Sequence, residues 1–244
     1  MFRHLGGALS LAVCILVANA QADSFPSVRL LTEDDPPFNL VDASGHIGGV
    51  STEMVREIFK RAAIPYSLEL KPWARVYNMA LSDKTACLYS TTRSKERENL
   101  FQWVGPLLEN PWALYGGPLS PKKIHSLEDA RAFTIGGYID DAVAQYLIDR
   151  GFSVELAADD LSNVRKLAVG HIDFWATGIY HGRYMTTREN MPQLRPVLIY
   201  SSSVLYLACN RAMPDAQIQR LNQALDSMQH DGFMARVRKR YLGE

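Results

Sequence analysis

The chain has 244 residues, 47% of them hydrophobic, and its 26 basic residues are balanced by 26 acidic ones. That length suits one large domain or two modest lobes with ample core, and the apolar fraction excludes a disordered chain. Balanced charge gives no basis for nucleic acid or an anionic membrane as a partner.

The N-terminus reads as a secretory signal peptide over residues 1–20. Arg3 and His4 precede the apolar run LGGALSLAVCILVA, and ANA at 18–20 closes it with small residues. Cleavage is expected after Ala20, with Ala22 as a second site. The run is too short to span a bilayer comfortably. Val13 before Cys14, and the apolar residues beyond it, argue against a lipid anchor there. The expected mature protein is exported and soluble, hence periplasmic in a Gram-negative host.

SVRLLTE (27–33) is the first expected strand, followed by the turn DDPPFN. Val50, Met54, Val55, Ile58, Phe59 and Ala62 then fall at helical spacing, with Ser51 or Thr52 as cap and Pro65 as terminator. YSLEL alternates as a strand, PWARVYNMAL reads as a short helix, and TACLYS is a third strand. The segment STTRSKERENLFQWVGP (90–106) follows, with a helix expected from about Ser94. A second unit begins near residue 115. In it AFTIGGYIDDAVAQYLIDRG is strand, turn and helix, FSVELA a strand, DDLSNVRKLAVG a helix and IDFWAT a strand. SSVLYLACN starts a further strand, and residues 214–241 carry a long helical pattern. Alternating strands and helices imply an α/β fold with a largely parallel sheet. Cys87 and Cys209 both lie in apolar strand-like runs. An oxidising compartment permits a disulfide, and buried free thiols fit such runs too.

Four stretches, in this order, resemble one family. They are LLTEDDPPFNLVDASGHIGGVSTEMVREIFKRA, STTRSKERENLFQWVGP, LAVGHIDFWAT and QHDGFMARVRKRYLG. Over essentially the whole mature chain the protein resembles the family 3 extracellular solute-binding proteins of ABC importers, the polar-amino-acid type. The resemblance implies an α/β, two-lobe, periplasmic-binding-protein-like fold of type II, with a ligand cleft between lobes joined by two crossover strands. Mapped on this chain, lobe 1 is 23–114 plus 205–244 and lobe 2 is 115–204. Function would then be capture of a small carboxylate-bearing solute, an amino acid or related organic acid, by hinge closure. A monomer would deliver it to an ABC-transporter permease, with no cofactor and no metal.

By its place in the motif, Arg97 matches the family's carboxylate-binding arginine, with Thr92 and Ser94 as hydroxyl and backbone donors. A guanidinium beside the free N–H groups of a helix start binds a carboxylate bidentately. The alternative places Arg97 on an exposed face, paired with Glu96 or Glu98; Arg93 is read as that kind of residue. The family's ammonium-binding acid in lobe 2 falls on Gly178, where no carboxylate exists. An ammonium enclosed in a dry cleft needs a partner, so either the ligand is not an α-amino acid or another acid substitutes, with Glu33, Asp34, Asp35, Asp140 and Asp141 as the candidates. For Asp140 and Asp141 the competing role is helix N-capping. Trp73 and Phe38 correspond to cleft-lining positions in relatives, with core packing as the alternative. Arg75 is read as a second anion donor, with an external salt-bridge partner as the alternative, and Thr177, close to Trp175, as a hydroxyl donor.

No G-x-S-x-G elbow, P-loop, H-E-x-x-H motif or cysteine–histidine arrangement with a recognisable setting occurs. His171 and His181 lack zinc-ligand spacing and read as surface or internally satisfied residues. The expectation is therefore a binding protein and not an enzyme. Two alternatives use the same fold. One is a periplasmic cyclohexadienyl-dehydratase-like enzyme, which needs a carboxylic acid of raised pKa beside the carboxylate clamp. The other is a ligand sensor without a transporter.

Overall fold

A computed structural model describes residues 25–121 and 124–243. The expected signal peptide lies outside the described residues. Among those residues, no helix is long and apolar enough to cross a membrane.

The first half is built on three parallel strands, β1 (Val28–Thr32), β4 (Tyr66–Leu70) and β5 (Ala86–Thr92), with β1 in the middle. β2 (Leu40–Val41) and β3 (Ile47–Gly48) form a small hairpin beside them. Helix α1 (Val50–Ala62) buries the periodic apolar face read from the sequence. Its cap differs from expectation. Ser51 and Thr52 lie inside the first turn, and Gly49 caps the helix with φ 107°. A Cβ at Gly49 would stand 2.4 Å from the Phe38 carbonyl oxygen, so close backbone approach and a positive φ both require glycine there. The Thr52 hydroxyl instead bonds the Tyr89 hydroxyl at 3.0 Å. α2 (Trp73–Ser82) packs on the opposite side of the sheet, against Leu31, Leu88 and Phe101.

Residues 94–100 form successive turns rather than the expected helix. Arg97 N donates to Ser94 O and Leu100 N to Arg97 O, three-residue steps that stop where the chain enters the next strand. That strand, β6 (Phe101–Gly116), and β10 (Arg195–Asn210) are each 16 residues long and pair antiparallel along their length. Gly105, Pro106, Asn110 and Pro111 interrupt the apolar alternation of β6, which hides it as one element in the sequence. One end of the pair adjoins β5 and the other adjoins β9 (Phe174–Gly178). The second half completes the sheet with β7 (Ile135–Tyr138) and β8 (Val154–Ala157), parallel to β9, in the overall order β4-β1-β5-β10-β6-β9-β7-β8. Helices α3 (Ala142–Ile148), α4 (Asp160–Ala168) and α5 (Ile179–Arg188) cover this half. The expected long C-terminal helix is two, α6 (Asp215–His230) and α7 (Phe233–Leu242), parted at Gly232 with φ 74°.

Cys87 and Cys209 face each other across β5 and β10 and form a disulfide, closing a sequence separation of 122 residues. The bridge ties the C-terminal part of the chain into the first half.

Candidate functional site

In open α/β sheets the carboxyl ends of the parallel strands, where loops turn into helices, form the natural binding crevice. Here the strand ends of both halves converge on one cavity of about 280 Å³. The first half contributes Glu33–Pro36 after β1 and Thr92 at the end of β5; Asn110 comes from β6. The second half contributes Tyr138, Asp141, the Ala158–Leu161 segment, Thr177 and Gly178 at the end of β9, and His181, Met185 and Arg188 on α5.

The charge in this wall is one-sided. Six carboxylates line it, from Glu33, Asp34, Asp35, Asp141, Asp159 and Asp160, against two basic side chains, His181 and Arg188. His181 is buried at their centre. Its Nδ1 is 2.7 Å from Asp35 Oδ1 and 2.9 Å from the Pro36 carbonyl oxygen, and its Nε2 faces Asp160 Oδ2 at 3.2 Å. Asp160 also accepts hydrogen bonds from Trp175 Nε1 at 2.9 Å and Asn163 Nδ2 at 3.0 Å. Burial opposes a charged imidazole, but the adjacent Asp35 and Asp160 carboxylates outweigh it and hold His181 well above its ordinary pKa. Burial also opposes the charged Asp160, and His181, Asn163 and Trp175 nonetheless keep it below the usual carboxylate value.

Glu33 and Asp141 behave oppositely. Burial, followed by repulsion from Asp35 and Asp141, pushes Glu33 well above the carboxylate range, against the hydrogen bond from the Tyr138 hydroxyl at 3.2 Å. Burial and the Asp160 charge raise Asp141 to about 6, with Arg97 opposing. Asp141 also caps α3, accepting from Val143 N at 3.3 Å, so capping and cavity lining coexist in one side chain.

Glu33, Thr92, Asp141 and Thr177 of the sequence-derived candidates thus come together in the cavity. Arg97 and Trp73 line an adjoining recess with Tyr77, Asp140 and Gln145. The Arg97 guanidinium lies 5.1 Å and 5.2 Å from the ring centres of Trp73 and Tyr77. Arg97 Nη2 and Trp73 Nε1 both donate to the Asp140 carbonyl, at 3.3 and 3.2 Å, linking the two halves. Neither Glu96 nor Glu98 pairs with Arg97; Glu98 pairs with Arg93. Three candidates are placed elsewhere. Phe38 is fully buried in the first half's core, against Val50 and Met54 and edge-on to Tyr180. Arg75 is exposed on α2, because its position turns away from the face that buries Trp73 and Val76. Ser94 sits in the turn, hydrogen-bonded to Glu96.

Sequence reasoning missed Asn110, Tyr138, Asp159, Asp160 and Arg188, and set His181 aside. One signal was available: AADD before α4 repeats the strand–Asp–Asp–helix pattern of YIDD before α3. Nothing local marks His181. The absent acid at Gly178 has a steric counterpart, since a Cβ there would lie 2.4 Å from Asn110 Oδ1.

Residues 28–244 match the profile of the bacterial extracellular solute-binding proteins, family 3. The chain belongs to that family. No curated protein matches it. Among solved structures it is similar to a histidine kinase sensor domain with similarity to periplasmic binding proteins, at 21% identity and TM-score 0.84, over 91% of this chain and 98% of that one. It is also similar to the arginine-, lysine-, histidine-binding protein ArtJ from Geobacillus stearothermophilus, at 17% identity and TM-score 0.79, over 90% and 96%. A third is an ancestral arginine-binding protein bound to arginine, at 18% identity and TM-score 0.77, over 88% and 97%. At these identities the likeness establishes the fold: the two-lobe periplasmic-binding-protein fold of type II, with its cleft between lobes joined by the β6 and β10 crossovers.

Proposed function

We propose that the protein captures a small solute carrying an ammonium or guanidinium group in the cavity between its lobes, by hinge closure. The observation that carries this reading is the excess of carboxylates in the wall, six against two basic side chains. Enclosing that charge without a cation is costly, and a cationic ligand removes the cost. A carboxylate on the same solute would turn toward Arg97, whose charge already acts on Asp141. An amino acid therefore fits as a ligand, with its cationic group deeper than its carboxylate. The ArtJ and ancestral neighbours are named for basic amino acids, which carry such a cationic group.

Lobe 1 as 23–114 plus 205–244, and lobe 2 as 115–204, would move as the two rigid bodies of this closure. Export through residues 1–20 and delivery by a periplasmic monomer to an ABC permease are the use we propose for the captured solute. The fold likeness to a kinase sensor domain supports ligand sensing as the second reading, and both share the capture step. A dehydratase-like activity needs a protonated acid next to a carboxylate clamp. Glu33 supplies the acid, but the wall around it, six carboxylates against two basic side chains, suits a cation better than an acidic substrate, so binding is the better-supported role.

The test is calorimetric titration with L-lysine, L-arginine, putrescine, succinate and phenylpyruvate. Binding of at least one cation is expected, and binding of the acids alone would overturn the reading.

A further inference from the structure

Asn110 lies in the crossover pair, opposite Ser203 of β10, and its side chain reaches over the backbone of Gly178. It takes up the volume that a side chain at 178 would fill. Its Oδ1 is buried and has no hydrogen-bond partner among the described residues, although the residue lines the cavity. Leaving a buried acceptor unmatched is unfavourable, so this oxygen is suited to a donor that the ligand brings.

The rest of the wall has the same character. Its cation-facing groups are oxygens, and of the lining residues only Tyr138 and His181 carry aromatic rings. Quaternary ammonium ions, which have no N–H, are held instead by cages of aromatic faces. The nearby aromatic pair that could begin such a cage, Trp73 and Tyr77, is occupied by Arg97. A fully methylated ammonium would leave Asn110 Oδ1 without a donor and hold the carboxylates at a distance set by its methyl groups.

We propose that Asn110 is a specificity-determining residue, accepting an N–H from the ligand, so that the site takes primary amines and guanidines and rejects their fully N-methylated counterparts. The assignment rests on the cation reading above and names the chemical class within it.

The experiment titrates L-lysine, putrescine and their permethylated counterparts, lysine trimethylated at both Nα and Nε and the bis-trimethylammonium diamine, into the full mature protein and its Asn110→Ala and Asn110→Asp variants. The unmodified protein should prefer the N–H-bearing member of a pair by at least tenfold. N110A should shrink that preference to threefold or less, and N110D, which keeps an acceptor of the same shape, should retain it. The ratio within a pair is insensitive to a general loss of affinity or stability. An unchanged ratio in N110A, or its loss in N110D, overturns the role of Asn110 while leaving the cation reading standing. Equal binding of both members by the unmodified protein overturns the N–H requirement. Binding of none of the four cations, nor of L-arginine, overturns the cation reading and this assignment together.

Discussion

Nδ1 of His181, on a helix of one lobe, stands 2.7 Å from Asp35 Oδ1, in a loop of the other. The contact joins the lobes directly across the cavity, and the opposite edge of the same ring faces Asp160. His181 therefore acts as the internal cation of a carboxylate cluster and as a tie between lobes.

Replacing His181 with Gln removes that cation and leaves Asp35 and Asp160 facing an acidic wall. Taking one partner out of a buried pair costs about 3–5 kcal/mol, so a loss of that order is expected in urea unfolding at neutral pH. Solution scattering should also record a more extended average shape, since the contact spans the lobes. A variant with unaltered stability and shape would show the bridge to be dispensable.

The pH dependence of stability follows from the same groups. Glu33 and Asp141 are raised, Asp141 from 3.8 to about 6, and His181 lies well above 6.5. Between its unfolded and folded pKa each group binds more protons folded than unfolded, so stability declines as pH rises through that interval. Asp160 is lowered; its contribution is present above 3.8 and lost only as pH falls through its folded value. The melting temperature of the ligand-free protein should therefore fall from about pH 5 to about pH 8. The Glu33→Gln, Asp141→Asn double variant should flatten that slope. A melting temperature that climbs over the same range would contradict the assigned protonation states.

Arg97 offers a test of how a solute lies in the cleft. Arg97→Ala removes two ring contacts, each about 0.5–1 kcal/mol, together with the bond to the Asp140 carbonyl. If a ligand carboxylate turns toward Arg97, the variant should weaken L-lysine by about 2–5 kcal/mol, and cadaverine, which lacks the carboxylate, by roughly 1 kcal/mol. Equal losses for both would confine Arg97 to bridging the lobes.

Gly178 and Asn110 should be coupled. Gly178→Asp places a Cβ 2.4 Å from Asn110 Oδ1, an overpacking that costs about 1–3 kcal/mol. Adding Asn110→Ala should recover most of the loss, giving a clear interaction energy in a double-mutant cycle. Additive effects would mean that the two side chains do not compete for the same space.

The α/β alternation, the apolar face of α1, the paired halves and the family were legible in the sequence, because each rests on local periodicity or on ordered motifs. Glu33 and Asp141 were legible too, as carboxylates at strand ends. Short-range signals misled where tertiary context overrode them: residues 94–100 carry helix-forming side chains but lead straight into β6, and Gly49 rather than a hydroxyl caps α1. By itself the sequence determined which strands and helices form, and that acids cluster where strands end. Only the tertiary structure decided that Cys87 meets Cys209, that Asn110 fills the space over Gly178, and that His181 joins Asp35 to Asp160. Those pairs are separated by 122, 68, 146 and 21 residues respectively, and their contacts follow from strand pairing within a lobe and packing between lobes, which no local pattern encodes.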